Sequence, residues 1–115
     1  MVEIQEKTSL VYFWRVYNDN FDPLVKIGIT TNWPSRLASL LAHANSSRNH
    51  WPDWLQVGCI QGYSLAGLIE GGRETEKYLH KKFAKYSMGF EWFDYNDECA
   101  DMIDELLDER CLCCI

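Results

Sequence analysis

No stretch of this sequence approaches the roughly 20 consecutive apolar residues that a helix needs to cross a bilayer, so no membrane-spanning helix is expected in it. The opening "MVEIQEKTSL" also lacks the basic-then-apolar pattern of a secretory signal, and the expected location is the cytoplasm. Cysteines do not pair off. There are five, at Cys59, Cys99, Cys111, Cys113 and Cys114, so a closed disulfide framework would strand one, and reduced thiols fit better. The closing "CLCCI" is not a prenylation box, because Leu112 stands where that box needs cysteine. Its spacing matches no standard zinc knuckle, and a frayed tail with free thiols is the simpler reading. Internal repeats and low-complexity segments are absent as well. Basic residues are scarce only at one end. Residues 1–90 carry ten Lys/Arg against eight Asp/Glu, and residues 91–115 carry one against nine, so the net charge of -6 is a C-terminal property. It therefore does not rule out a nucleic-acid partner for the rest of the chain.

What is present is enough apolar and aromatic residue, 47% and 14% of 115, to build one core, and the chain reads as a single domain over 1–115. An acidic terminal helix and a Cys-rich tail occupy about 97–115. Leu10–Tyr17 ("LVYFWRVY") is apolar on nearly every position, as in a strand covered on both faces. Leu24–Thr30 ("LVKIGIT") alternates Val25, Ile27 and Ile29 with Lys26, Gly28 and Thr30, and pairs with the first strand as an antiparallel hairpin. Asn32 caps a helix with Pro34 in its first turn and a stripe at Leu37, Leu40, Leu41 and Ala44. "LQVGCIQGY", residues 55–63, alternates as a third strand. From Ser64 a second helical region is expected to about Tyr86, loosened at Gly71 and Gly72, with Leu79, Phe83 and Tyr86 inward. "GFEWFDY" suits a short strand or extended turn, and Asp97–Arg110 a helix with Met102, Ile103, Leu106 and Leu107 inward. The expected fold is α+β, a small three-stranded antiparallel sheet flanked by helices.

Two residues on the second helix invite a chemical reading. Glu76 and His80, at i and i+4, both fall on its apolar side, where a carboxylate needs a partner or a cation. They form either an internal ion pair that only fixes packing or a Mg²⁺ site completed by waters and a phosphate. Arg36 at a helix edge, Lys26 on a strand face and Tyr12 among core positions are unremarkable singly.

Their order along the chain resembles the GIY-YIG nuclease superfamily. "VYF" at Val11–Phe13 stands where that family has its first tripeptide and "KIG" at Lys26–Gly28 where it has its second. Arg36 falls at its helix arginine and Glu76 at its metal-binding glutamate. The run "ETEKYLHKKF" followed by "FEWF" is similar to a small phage and bacterial branch. The resemblance implies an endonuclease hydrolysing DNA phosphodiester bonds at one Mg²⁺ or Mn²⁺ held by Glu76. Tyr12 would take a proton from water, aided by the ammonium of Lys26, which favours a phenolate. Arg36 would stabilise the non-bridging oxygens and His80 would orient Glu76 or a metal-bound water. Gly28 would admit the substrate backbone, or make room for a bulge or an aromatic. Lys77 and Lys81, with Arg73, Lys82 and Lys85, would track phosphates or simply face solvent. Trp33, Trp51 and Trp54 could stack on bases or pack. No membrane partner and no small-molecule cofactor are expected, and the sequence does not fix the oligomeric state. An alternative is a scaffold that binds nucleic acid or protein without cutting, motivated by Lys26 in place of tyrosine and by the acidic C-terminus.

Overall fold

The computed structural model describes residues 9–17, 23–42, 62–89 and 91–110. β1 (Leu10–Tyr17) and β2 (Leu24–Thr30) form the expected hairpin, in a register that sets Tyr12 opposite Gly28 and Trp14 opposite Lys26. α1 (Trp33–Ala42) follows, started by Asn32 Oδ1 accepting the Ser35 N–H at 3.2 Å. β3 (Gly62–Glu70), α2 (Arg73–Lys82), a 3₁₀ turn at Ala84–Tyr86, β4 (Ser87–Gly89), β5 (Trp92–Asp94) and α3 (Asp97–Arg110) complete the described chain.

Among the described residues all the pairings are antiparallel and the sheet has five strands in the order β3-β1-β2-β5-β4, which corrects the expectation of three. β4 and β5 have three residues each, too short for a two-residue period to be visible. The third strand also lies later than expected. β3 opens at Gly62 and Tyr63, where the expected strand was to end, and residues 55–61 lie outside the described residues. It occupies "GYSLAGLIE", whose Leu, Ala and Ile suit a helix as well as a strand. Tertiary pairing decides the matter. β1 is buried on both faces and carries a full ladder of polar backbone groups on each edge, so it needs a neighbour on both sides. β2 supplies one along Leu10–Val16 and β3 the other along Leu10–Tyr17. Gly71 and Gly72 accordingly separate a strand from a helix rather than loosening one long helix, and α2 starts at Arg73.

The pleat divides the core in two. Val11, Phe13, Val25, Ile27 and Ile69 face α2 and α3, meeting Leu79, Phe83, Tyr86, Cys99, Ile103 and Leu107. Tyr12, Trp14, Val16, Leu24, Leu68 and Trp92 face the other way, meeting Leu40 of α1. The inward sets expected for the second and third helices thus hold, Met102 and Leu106 lying partly buried at the edge of the first cluster. The Cys99 thiol is free and fully buried, and burial pushes it up to about 12, so it is no nucleophile at neutral pH. Among the described residues no helix is long and apolar enough to cross a membrane.

Phe83 is fully buried and touches the Tyr86 and Phe93 rings. Phe83→Ala is expected to lower unfolding free energy by about 3–5 kcal/mol in urea titrations, because the cavity sits where α2, β5 and the 3₁₀ turn converge.

Candidate active site

The alternation that buries Val25 and Ile27 against α2 turns Lys26 and Gly28 to the opposite face, beside Tyr12. Lys26 is only 3% exposed there. Its ammonium lies 3.8 Å from a carboxylate oxygen of Glu91 and 5.9 Å from the centre of the Trp92 ring. Burial pushes the lysine pKa down, with Glu91 acting against the shift and Arg36 adding to it.

Gly28 is required by Tyr12. A Cβ at that position would stand 2.5 Å from the phenol oxygen and 2.6 Å from Cζ, so the ring lies directly over the glycine. Trp33 covers the ring from α1, its centroid 5.5 Å away. Of the alternatives for this glycine, the structure shows aromatic packing; of those for Trp33, it shows packing, and Trp51 and Trp54 lie outside the described residues.

Glu76 and His80 reach the site around an interruption in the sheet. β5 pairs with β2 only from Leu24 to Lys26. At the next residue the Ile27 N–H donates to the Glu91 carbonyl at 3.0 Å, and the Ile27 carbonyl accepts from His80 Nε2 at 2.9 Å. His80 therefore completes the ladder where the strand stops, and its ring packs on Phe93. This geometry sets its tautomer, because a ring nitrogen facing a carbonyl must carry the proton. The same nitrogen is 4.0 Å from Glu76 Oε2, beyond hydrogen-bonding distance. Glu76 Oε2 is buried with no hydrogen-bond partner. Burial raises the Glu76 pKa, the Glu91 charge raises it further, and His80 opposes both. The packing pair and the cation site were the two readings open for Glu76 and His80. The observed geometry gives His80 a backbone partner and leaves a carboxylate oxygen of Glu76 unmatched.

Tyr12 feels all of these groups. Burial holds its phenol well above the ordinary tyrosine range, Glu91 and Glu76 act in the same direction, and Arg36 acts against them. In the free chain the phenol is thus protonated, and the cation seen to favour the phenolate is Arg36 on α1. Lys26 shares the Tyr12 face, but its ammonium is directed to Glu91. Lys77 and Lys81 lie on the exposed side of α2. Lys85 is held by Glu98 of α3 at 2.6 Å. Glu91 is the site residue that sequence reasoning missed, and the signal was the buried Lys26, which needs a counter-ion.

Among the described residues no group of three or more His, Cys, Asp and Glu converges as a cage for a metal. The fit must be judged on Glu76 and Glu91. Mg²⁺ is ordinarily bound through one or two carboxylates with waters and phosphate oxygens, and a buried carboxylate oxygen without a partner suits that role. The three cysteines of the tail lie outside the described residues.

The chain belongs to the T5orf172 domain family, whose model matches residues 9–111. No curated protein and no solved structure matches it. The T5orf172 domain is a nuclease-associated, DNA-binding type of domain. It is a family distinct from the GIY-YIG superfamily, for which there is no match, so the resemblance drawn from "VYF" and "KIG" is corrected. The physical reason lies in the tripeptides. Val11, Phe13 and Ile27 are core residues facing α2 and α3, and a hairpin packed this way needs apolar residues there whatever its family.

Gly28→Ala is expected to cost about 1–3 kcal/mol by overpacking, and less in a Tyr12→Ala background, a coupling that a double-mutant cycle in urea would measure. The raised pKa of Glu76 also fixes a sign. A carboxyl group that holds its proton more tightly folded than unfolded disfavours folding once ionised, and the penalty fades as pH falls through its folded-state value. In EDTA, Glu76→Gln should therefore raise the thermal midpoint at pH 7 to 8, with the gain shrinking towards pH 4.

Proposed function

We propose that this member of the T5orf172 domain family is a metal-dependent endonuclease that hydrolyses DNA phosphodiester bonds at the site formed by Tyr12, Lys26, Arg36, Glu76 and His80. The observation that carries the reading is the unmatched buried oxygen of Glu76, a residue whose charge acts, with that of Arg36, on the Tyr12 phenol. These are the donors that a scissile phosphate requires: acceptors for a cation, cations for the phosphate oxygens, and a hydroxyl near the attacking water.

Glu76 would hold Mg²⁺ or Mn²⁺, which supplies Lewis-acid stabilisation of the leaving oxygen. Arg36, exposed on α1, donates from a planar fork to the non-bridging oxygens, where negative charge grows as water adds to phosphorus. Tyr12 orients that water and accepts its proton. Its high pKa in the free chain means that the acceptance depends on the charge around it, since Glu91 and Glu76 oppose the phenolate and Arg36 favours it. Lys26 adds a second positive charge on the same face. His80 holds β2 and α2 together through Ile27, and so fixes the turn of α2 that carries Glu76. Lys77 and Lys81 offer phosphate contacts along α2.

A second reading, a nucleic-acid-binding module without turnover, is favoured by the protonated Tyr12 phenol. Supercoiled plasmid incubated with the chain at several Mg²⁺ and Mn²⁺ concentrations separates the two. Nicking is expected, reduced about 10²–10³-fold by Arg36→Ala and abolished by Glu76→Ala, with unchanged far-ultraviolet circular dichroism. Retarded plasmid that stays supercoiled would establish the binding module instead.

A further inference from the structure

Among the described residues, Arg15 is a half-buried cation with no carboxylate at ion-pair distance. It lies on β1, on the face of the sheet that carries Val11 and Phe13, away from Tyr12 and Lys26. Its contacts are long ones. The Tyr95 hydroxyl accepts from Nη1 and the Leu65 carbonyl from Nη2, each at 3.5 Å, and the charge lies 5.9 Å from the centre of the Tyr95 ring. Nε is buried and has no hydrogen-bond partner. Two carboxylates of the segment that follows β5 are directed elsewhere, Asp94 to Asn96 and Glu98 to Lys85 and the Tyr86 hydroxyl. A half-buried guanidinium that is neither paired nor fully hydrogen-bonded is unfavourable as it stands, and an oxyanion would relieve it.

The surroundings narrow the choice of oxyanion. Ser64 of β3 stands directly across from Arg15, where side chains on one face are about 5 Å apart, and its hydroxyl can donate. Tyr95 accepts from Arg15 through its oxygen and so keeps its own proton to donate. A guanidinium fork and two hydroxyls supply more donors than the two oxygens of a carboxylate call for, and a phosphate monoester, with three terminal oxygens, matches them. A continuous DNA backbone fits poorly, because its phosphates have fewer terminal oxygens and the acidic helix α3 packs on this face.

We infer that Arg15, Ser64 and Tyr95 form a site for a phosphate monoester group, on the opposite face of the sheet from the proposed catalytic site and independent of it. The test is titration calorimetry of the full chain in EDTA at constant ionic strength. The probes are inorganic phosphate, deoxyadenosine 5′-monophosphate, and a short oligonucleotide with and without a 5′-phosphate. Saturable binding of phosphate is expected, weakened about tenfold or more in Arg15→Gln and severalfold in Ser64→Ala and in Tyr95→Phe. The last two variants each remove one hydroxyl and keep Arg15, so they read the site if Arg15→Gln does not fold. Tighter binding of the mononucleotide than of phosphate assigns the group to a free nucleotide; a preference for the phosphorylated oligonucleotide over its 5′-hydroxyl form assigns it to a strand end. No saturable binding, or an affinity unchanged in all three variants, overturns the inference. So does phosphate binding that is lost in Arg36→Ala and kept in Arg15→Gln, which would put the anion at the Tyr12 site.

Discussion

A buried ammonium is the constraint around which this fold is arranged. Lys26 sits in the middle of a strand whose neighbours on the same face are Leu24 and Gly28, and it is almost entirely removed from water. A lone lysine in such a place would shed its proton or unfold its surroundings. The compensation comes from Glu91, at the turn that leads into β5, and from the face of Trp92, the first residue of that strand. Docking β5 on β2 and satisfying Lys26 are thus one event: the register that pairs Lys26 with Trp92 also brings the Glu91 carbonyl to Ile27.

The early end of β5 has a second consequence. A longer β5 would cover Ile27 to Thr30 and wall α2 off from the Tyr12 face. With three residues it leaves the Ile27 carbonyl to His80, and a helix packed on one face of the sheet brings the charge of Glu76 to bear on Tyr12 on the other. The i, i+4 spacing of Glu76 and His80 reads accordingly: one residue anchors the helix to the strand, and the other is positioned by that anchor.

Much of this was legible in the sequence. The alternation of "LVKIGIT", the Asn32 cap and the inward face of the terminal helix are local patterns, and the structure repeats them. β3 was hidden because "GYSLAGLIE" has no polar alternation and becomes a strand only because β1 offers an unpaired edge. β4 was hidden by its length, whereas β5 falls inside "GFEWFDY", which reads as a short strand or an extended turn. The relation between Tyr12 and Lys26 depended on hairpin register, which no residue pattern fixes. Register puts the two on one face but two positions apart, and the ammonium turns to a carboxylate from a distant segment. Glu91 escaped notice for the same reason, since its meaning lies in what it touches and its sequence neighbours say little about that.

Overall charge would have misled most. A chain at -6 makes a poor partner for DNA if the charge is spread evenly, but the acids are concentrated on α3. That helix packs through Cys99, Ile103 and Leu107 into the cluster that contains Val11 and Phe13, on the face of the sheet away from Tyr12 and Lys26. Its carboxylates act on their own side: Glu98 takes Lys85 at 2.6 Å and also receives the Tyr86 hydroxyl. Over distances longer than about 10 Å, salt at 0.1 M screens most of what exposed charges do to each other. The field at the candidate site is therefore set by Lys26, Arg36, Glu76 and Glu91, two positive and two negative, and the acids of α3 add little to it.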